Sequence, residues 1–153
     1  MEKNNIRKFN IRVYGLIIND KREVLISDEF QIDMKMTKFP GGGLDFGEGP
    51  ADCIRRECLE ELGQEVEIID HFYTTDFFQQ ALFYPDQQLI SIYYRIRFKD
   101  SVKFKISENA FDFAEMKNGN QSFRWVPINE LSADDLTFPV DKHVANLLKE
   151  KFS

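Results

Sequence analysis

The stretch FPGGGLDFGEGPADCIRRECLEELGQ, residues 39–64, carries the clearest structural pattern in this chain. It begins with a run of glycines and continues into a segment with helical features. Pro50 fits the first turn of a helix, where its missing N–H is not needed. Apolar residues then recur every four positions, at Ile54, Cys58 and Leu62. Gly63 is a typical helix terminator. The stretch therefore predicts a glycine-rich turn followed by an amphipathic helix.

Three carboxylates share another face of this helix, at Glu57, Glu60 and Glu61. Their i, i+3 and i+4 spacing places them within about a quarter-turn of each other. Carboxylates this close repel one another unless a cation lies among them. Arg56 is one position from Glu57, and we expect it to face elsewhere and not to neutralise them. Clustered hard oxygen ligands suit Mg²⁺ or Mn²⁺, and Mg²⁺ usually completes its shell with water and phosphate oxygens. The three carboxylates therefore predict a metal ion that binds the phosphates of a substrate. The alternative is that they form an acidic helix face exposed to solvent, with no metal.

The order and spacing of these residues resemble the Nudix box. That pattern is a glycine, five residues, a glutamate, seven residues, Arg-Glu, an aliphatic residue, any residue, Glu-Glu, any residue, a glycine and an aliphatic residue. Its fixed positions match at Gly42, Glu48, Arg56, Glu57, Glu60, Glu61 and Gly63. Cys58 and Gln64 depart from it at the two aliphatic positions. A free cysteine packs as a small hydrophobic residue, so Cys58 is a mild departure.

The resemblance implies a Nudix hydrolase of the α/β class, an α/β/α sandwich with a mixed central sheet. It implies Mg²⁺-dependent attack on a diphosphate that is linked to another moiety. By the same resemblance, Glu57, Glu60 and Glu61 are metal ligands, Glu48 supports the metal site, and Arg56 orients the glutamates. A carbonyl of the turn at residues 41–43, assigned to Gly42, completes the metal shell.

The general base and the substrate ligands are not fixed by the box. Glu60 is one candidate base, and Glu115 is the first candidate in the loop before Trp125, ahead of Asp112 and Glu108. Four residues are candidate substrate ligands, and for each a purely structural or solvated role is the alternative: Lys38, Phe78, Arg95 and Arg97. Phe78 belongs to the aromatic segment 77–84, which could stack on a base, cover the core or form a homodimer surface.

Length, charge and composition limit the kinds of protein to which the chain can belong. With 153 residues, 42% of them hydrophobic, the chain is expected to form a single domain over residues 1–153, with a loose end at residues 1–8. A net charge of −6 gives no general attraction to nucleic acid or to an anionic membrane. No apolar run approaches the length of a membrane span. Cys53 and Cys58 point away from each other on the predicted helix, which argues against a disulfide between them. We expect a cytoplasmic protein.

The other predicted elements follow from alternation and turn residues. Residues 11–18 and 23–27 predict a hairpin, and residues 28–38 predict a loop. Strands are predicted at residues 65–73, 89–98, 102–106 and 123–127. A short helical turn at residues 128–131 and an amphipathic helix at residues 140–152 complete the chain.

Two functional hypotheses remain. The first is a Mg²⁺-dependent hydrolase that cleaves the diphosphate of a small nucleotide, either a nucleoside triphosphate or a nucleotide sugar. The second is a Nudix-like module that binds a nucleotide without cutting it. Metal titration separates both from a solvated acidic face, which would show no specific Mg²⁺ or Mn²⁺ site.

Overall fold

The computed structural model of the chain describes residues 5–152. Strands and helices follow in the order β1 (Lys8–Ile17), β2 (Glu23–Gln31), β3 (Met34–Lys38), β4 (Gly41–Gly43), α1 (Pro50–Leu62), β5 (Val66–Thr74), β6 (Gln87–Phe98), β7 (Gln121–Pro127) and α2 (Pro139–Phe152). Two short 3-10 turns, Ile128–Glu130 and Ala133–Asp135, connect β7 to α2. The predicted helices and the helical turn after β7 are confirmed.

The strands form two sheets. One is mixed, in the order β4-β1-β6-β5, with β1 and β6 parallel and the outer pairs antiparallel. The other is antiparallel, in the order β3-β2-β7. Because side chains alternate along a strand, β1 contributes to two cores. Val13 and Ile17 pack with α1, whereas Tyr14 and Leu16 pack with α2.

The two helices therefore cover opposite faces of the strands. Cys53, Ile54, Cys58 and Leu62 form the buried face of α1, and Val140, Val144, Ala145 and Leu148 form that of α2. This arrangement confirms the predicted α/β/α sandwich with a mixed central sheet. Cys53 and Cys58 are both buried free thiols, and burial is the main cause that raises the pKa of each to about 12.

Three predictions of local structure were wrong. β1 and β2 do not form a hairpin ladder, because they belong to different sheets and meet only at the Ile18–Val24 bridge. Residues 28–38 are not a loop but most of the β2–β3 hairpin. Residues 102–106 form no strand; Phe104 and Ile106 instead pack against the core beside α1.

The start of the chain is better anchored than predicted. Residues 1–4 of the predicted loose end lie outside the described residues. Where this segment joins β1, the backbone N–H groups of Arg7 and Lys8 both donate to the carbonyl oxygen of Asp86, at 2.8 and 3.2 Å. The extent of a single domain over residues 1–153 stays a prediction. In the described part of the chain, neither helix has the length and apolar character needed to cross a membrane.

Candidate active site

A strand, a loop and a helix position the acidic residues of the box. β4 pairs antiparallel with β1, with Gly42 opposite Val13, and this pairing fixes the glycine run at the edge of the mixed sheet. Pro50 then starts α1. The helix ends at Gly63, whose φ of 66° is left-handed and whose N–H donates to the carbonyl of Leu59. The sequence-predicted turn and helix thus bring the glycines and the glutamates together.

Arg56 is the centre of the acidic cluster. Its guanidinium binds both carboxylate oxygens of Glu48, with Nη2–Oε1 at 2.7 Å and Nε–Oε2 at 2.9 Å. Its Nη1 also contacts Glu57 at 3.1 Å and Glu60 at 3.2 Å. The hydrogen bonds from Arg56 are the largest cause that lowers the pKa of Glu48 to about 2. The expectation that Arg56 does not neutralise the carboxylates was wrong, because its long side chain reaches back over the helix surface.

Glu57 lies directly against the glycine turn. Its side chain is only 13% exposed. A methyl group at Gly42 would overlap the Glu57 carboxylate, so glycine is the residue that allows this close approach. Arg56 Nη2 also donates to the carbonyl of Gly43 at 3.0 Å. The turn, the arginine and the first box glutamate of α1 therefore form one packed unit.

Glu61 lies on the inner side of the cluster. Gln121 Nε2 donates to its carboxylate at 3.4 Å. Burial is the largest cause that raises the pKa of Glu61 to about 7, and Lys38 opposes that rise. Lys38 itself is buried and forms an ion pair with Glu29 at 3.1 Å. Glu61 thus lies in a region that lacks enough positive charge for its ionised form.

The donor chemistry fits a divalent metal ion. Within residues 5–152, no three His, Cys, Asp or Glu side chains converge tightly enough to hold a metal in the present arrangement. The carboxylates of Glu57, Glu60 and Glu61 are nevertheless neighbours on one helix, beside the backbone oxygens of the glycine turn. All of these donors are hard oxygens, as Mg²⁺ and Mn²⁺ prefer. The raised pKa of Glu61 indicates the same need for a cation.

A cavity of about 330 Å³ has Lys38, whose charge acts on Glu61, in its wall. β1, β3, β6, α2 and residues 81–84 all contribute to its wall. Tyr93 Oη donates to Asp141 Oδ1 at 2.6 Å. Asp141 is 1% exposed, and its Oδ2 has no hydrogen-bond partner among residues 5–152. The cavity therefore combines aromatic surface with a buried acceptor that the protein leaves unsatisfied.

The predicted substrate ligands are spread over different parts of the molecule. Lys38 lines the cavity. Arg95 and Arg97 form ion pairs with Asp70 and Glu67 of β5, outside the cavity wall. Phe78 is also outside that wall, although residues 81–84 of the same aromatic segment belong to it. The substrate contacts of these residues stay predictions.

The predicted base candidates are also separated. Glu60 is 59% exposed at the side of the cluster and pairs with Arg56. Glu115 is exposed in the loop before β7, where its carbonyl accepts from Asn120 Nδ2 at 2.8 Å. Among the alternatives, Asp112 pairs with Lys105 at 3.2 Å, and Glu108 is exposed. The identity of the base stays a prediction.

Sequence reasoning missed much of the cavity wall, including Arg12, Tyr14 and Asp141. Two signals could have found them. Arg12 shares a strand face with Tyr14 and Leu16, which are core residues. Asp141 falls on the apolar stripe of α2, three and seven residues before Val144 and Leu148. A charge on a core-facing stripe indicates a functional site more strongly than one on a solvated face.

Comparison with known proteins agrees with this geometry. The sequence model of the NUDIX domain matches residues 8–148. An RNA pyrophosphohydrolase of Sulfurovum sp. (strain NBC37-1) is 37% identical over 86 residues, which cover 52% of this chain and 54% of that protein. The chain thus spans about half the length of that curated relative.

Solved structures share the fold at low identity. A MutT protein from Methanosarcina mazei Go1 superposes with a TM-score of 0.66 at 18% identity, covering 95% of this chain and 96% of that one. A NUDIX hydrolase from Nitrosomonas europaea gives 0.67 at 17% identity, covering 92% and 88%. At this identity the similarity shows the fold alone.

Proposed function

This chain belongs to the NUDIX family, and we propose that it is a divalent-metal-dependent pyrophosphohydrolase. Its substrate would be a nucleoside diphosphate linked to another group, such as a nucleoside triphosphate or a nucleotide sugar. One observation carries the proposal: Arg56 holds Glu48, Glu57 and Glu60, Glu57 packs against Gly42, and Lys38, whose charge acts on Glu61, lines a cavity large enough for an organic group.

Glu57, Glu60, Glu61 and the Gly42 carbonyl would hold Mg²⁺ or Mn²⁺. When bound, such an ion neutralises phosphate charge and makes a water molecule a better nucleophile at neutral pH. The protein's own contribution is to hold the carboxylates in place. Arg56 keeps Glu48, Glu57 and Glu60 in fixed orientations, and such preorganised charge is a major source of catalysis. Glu60, on the exposed side, is the first candidate to accept the proton of the attacking water, and Glu115 is the second.

The cavity supports a nucleotide substrate. Its wall includes Tyr14, Phe83 and Phe138, which offer aromatic surface to a base. The unsatisfied Oδ2 of Asp141 can accept a hydrogen bond from an N–H or O–H group of the bound molecule. A buried acceptor of this kind favours ligands that carry a matching donor, because the other ligands leave it unpaired.

Phosphate release from a panel of nucleotides tests the proposal. Nucleoside triphosphates and nucleotide conjugates would be incubated with Mg²⁺ or Mn²⁺, and an added phosphatase would reveal each product. The name of the Sulfurovum relative justifies adding a 5′-triphosphorylated RNA. We expect one class of small nucleotide to be turned over above the others. Preference for the RNA would instead contradict the prediction that nucleic acid is not a partner.

Variants of the box link turnover to the site. Glu61→Gln should abolish turnover while circular dichroism stays unchanged, since it removes a carboxylate of the cluster without changing its shape. Glu65→Gln is a matched control, because Glu65 is exposed just beyond α1. Full activity of Glu61→Gln would show that the site is wrongly assigned. A wild-type protein that binds metal but turns over nothing in the panel would favour the nucleotide-binding module.

A further inference from the structure

Arg12 lies between the acidic cluster and the cavity. It pairs with Gly43 across the β1–β4 ladder, next to the glycine that contacts Glu57. Its guanidinium lines the cavity, where Nε donates to Tyr14 Oη at 2.7 Å. The guanidinium carbon is 5.7 Å from the centroid of the Tyr14 ring. Arg12 therefore lines the cavity and lies against the glycine turn, with Nη1 3.8 Å from the position of an added Cβ at Gly43.

Within residues 5–152, the charge of Arg12 has no ion-pair partner. Among the described residues, the other cations of the site have close acidic partners: Arg56 contacts four carboxylates, and Lys38 contacts Glu29. Arg12 forms no ion pair in the described part of the chain, although it is partly buried. Glu57 and Asp141 raise its pKa only as more distant charges, after the nearby Tyr14. Partial burial of an unpaired guanidinium is costly, and a bound anion would remove that cost.

We propose that Arg12 binds the substrate phosphate nearest to the organic group in the cavity. The proposal rests on the proposed function, because it assumes a phosphorylated substrate. A guanidinium offers parallel N–H donors that match phosphate oxygens. Only Nε is used by Tyr14, so Nη1 and Nη2 remain for the ligand. A group held in the cavity places its first phosphate beside Arg12, and the following phosphate then reaches the box glutamates.

The competing explanation is structural. Arg12 could serve only to hold the Tyr14 hydroxyl, and its loss would then loosen the cavity wall for every ligand. The two roles differ in one measurable property. A phosphate ligand contributes only when the bound molecule carries a phosphate, whereas a wall support contributes equally with and without it.

Metal-free binding separates these roles. Isothermal titration calorimetry in a chelator would compare adenosine, guanosine, cytidine and uridine with their 5′-monophosphates. The proteins would be the wild type, Arg12→Met and the control Arg55→Met, in which an exposed α1 arginine that pairs only with Asp52 is removed. We expect the wild type to bind at least one monophosphate about 10- to 100-fold more tightly than its nucleoside, which is the usual effect of charged hydrogen bonds. Arg12→Met should lose this preference for the monophosphate while its affinity for the nucleoside stays the same. Arg55→Met should keep both the preference and the nucleoside affinity.

Three results would overturn the proposal. They are a wild type with no preference for any monophosphate, an Arg12→Met variant that keeps the preference, and a variant that weakens nucleoside and monophosphate equally. Circular dichroism checks that the variants are folded. Because no metal and no hydrolysis are involved, this result does not depend on the turnover that tests the proposed function.

Discussion

Asp141 is an acid in the core, and its titration should be visible in the stability of the fold. Burial is the largest cause that raises its pKa to about 6, against the hydrogen bond from Tyr93 and the charges of Lys38 and Arg12. Tyr14 of β1 also faces it, and burial first and then the Asp141 charge raise the pKa of that tyrosine. The folded state therefore keeps a proton that the unfolded state releases at lower pH. Stability contributed by the protonated acid is present below pH 4 and is lost as pH rises to about 6.

The variant Asp141→Asn should remove this pH dependence while its amide oxygen still accepts from Tyr93. We expect the free energy of unfolding of the variant, relative to the wild type, to rise by about 2 kcal/mol between pH 4 and pH 7. Urea denaturation at several pH values measures this difference and cancels the contributions of other acids. A difference that stays constant with pH would show that Asp141 titrates normally.

Gly42 should matter for activity more than for stability. An added methyl group would displace the Glu57 carboxylate, which is the far end of a flexible side chain and can move at little cost. Misplacing a catalytic group by about 1 Å can reduce turnover by about 100-fold. We therefore expect Gly42→Ala to lower kcat by about this factor, with a nearly unchanged urea midpoint. Gly49→Ala is the control, because an added methyl group there meets only Asp52, at 3.7 Å.

Single residues also show what the sequence can predict. Glu57, Glu60 and Glu61 lie within α1, and their helical spacing is enough to place them on one face, although it did not predict that Arg56 would reach them. Arg12 and Asp141 come from opposite ends of the chain, and only the packing of β1 beside α2 makes them neighbours. No local pattern contains that information, so the box was predictable and the cavity was not.

At the scale of elements, the β2–β3 hairpin shows why a strand pair can be missed. Its turn residues Ile32 and Asp33 have φ values of 52° and 55°. This left-handed geometry favours Asn and Gly, and it is strained for a β-branched residue such as isoleucine. The turn therefore contains neither glycine nor asparagine, Asp33 is its one residue that commonly adopts this geometry, and the segment was predicted as a loop.

Relieving this strain should stabilise the hairpin. Asparagine tolerates the left-handed region, so Ile32→Asn should raise the free energy of unfolding by about 1 kcal/mol. Half of the Ile32 surface is already exposed, which limits the apolar burial that is lost. The urea midpoint measures the effect. Ile69→Asn, at a similarly exposed position inside β5, is the control and should not stabilise; an equal gain there would show that loss of exposed apolar surface is the cause.

At the scale of the whole molecule, the partner of β1 is set by burial on both of its faces. A local β1–β2 hairpin would satisfy the backbone of β1. The parallel pairing with β6 instead lets Val13 and Ile17 meet α1 while Tyr14 and Leu16 meet α2. The alternation predicted a strand correctly, but its partner depends on helices that lie far along the chain. The family resemblance supplied the layered architecture that propensity could not.

The charge of the whole chain leads to a final prediction on metal ions. With a net charge of −6 and several acids around α1, the fold without metal carries repulsion that a bound divalent ion would relieve. At a metal concentration about 100 times the dissociation constant, binding adds about 2.7 kcal/mol to stability. In a chain of this size that corresponds to a rise of about 5–10 °C in Tm over the same protein in chelator.

A comparison of Glu61→Gln with Glu65→Gln tests whether the divalent ion binds at the acidic cluster of α1. Glu61→Gln should lose most of the rise in Tm with Mg²⁺ or Mn²⁺, whereas Glu65→Gln should keep it, because only Glu61 belongs to the acidic cluster. Thermal unfolding in a monovalent salt of equal ionic strength measures general screening. If the salt or the Glu61→Gln protein showed the full rise, the ions would be screening the net negative charge and not binding at α1. A rise specific to divalent ions and dependent on Glu61 would locate the metal at the box without any measurement of turnover.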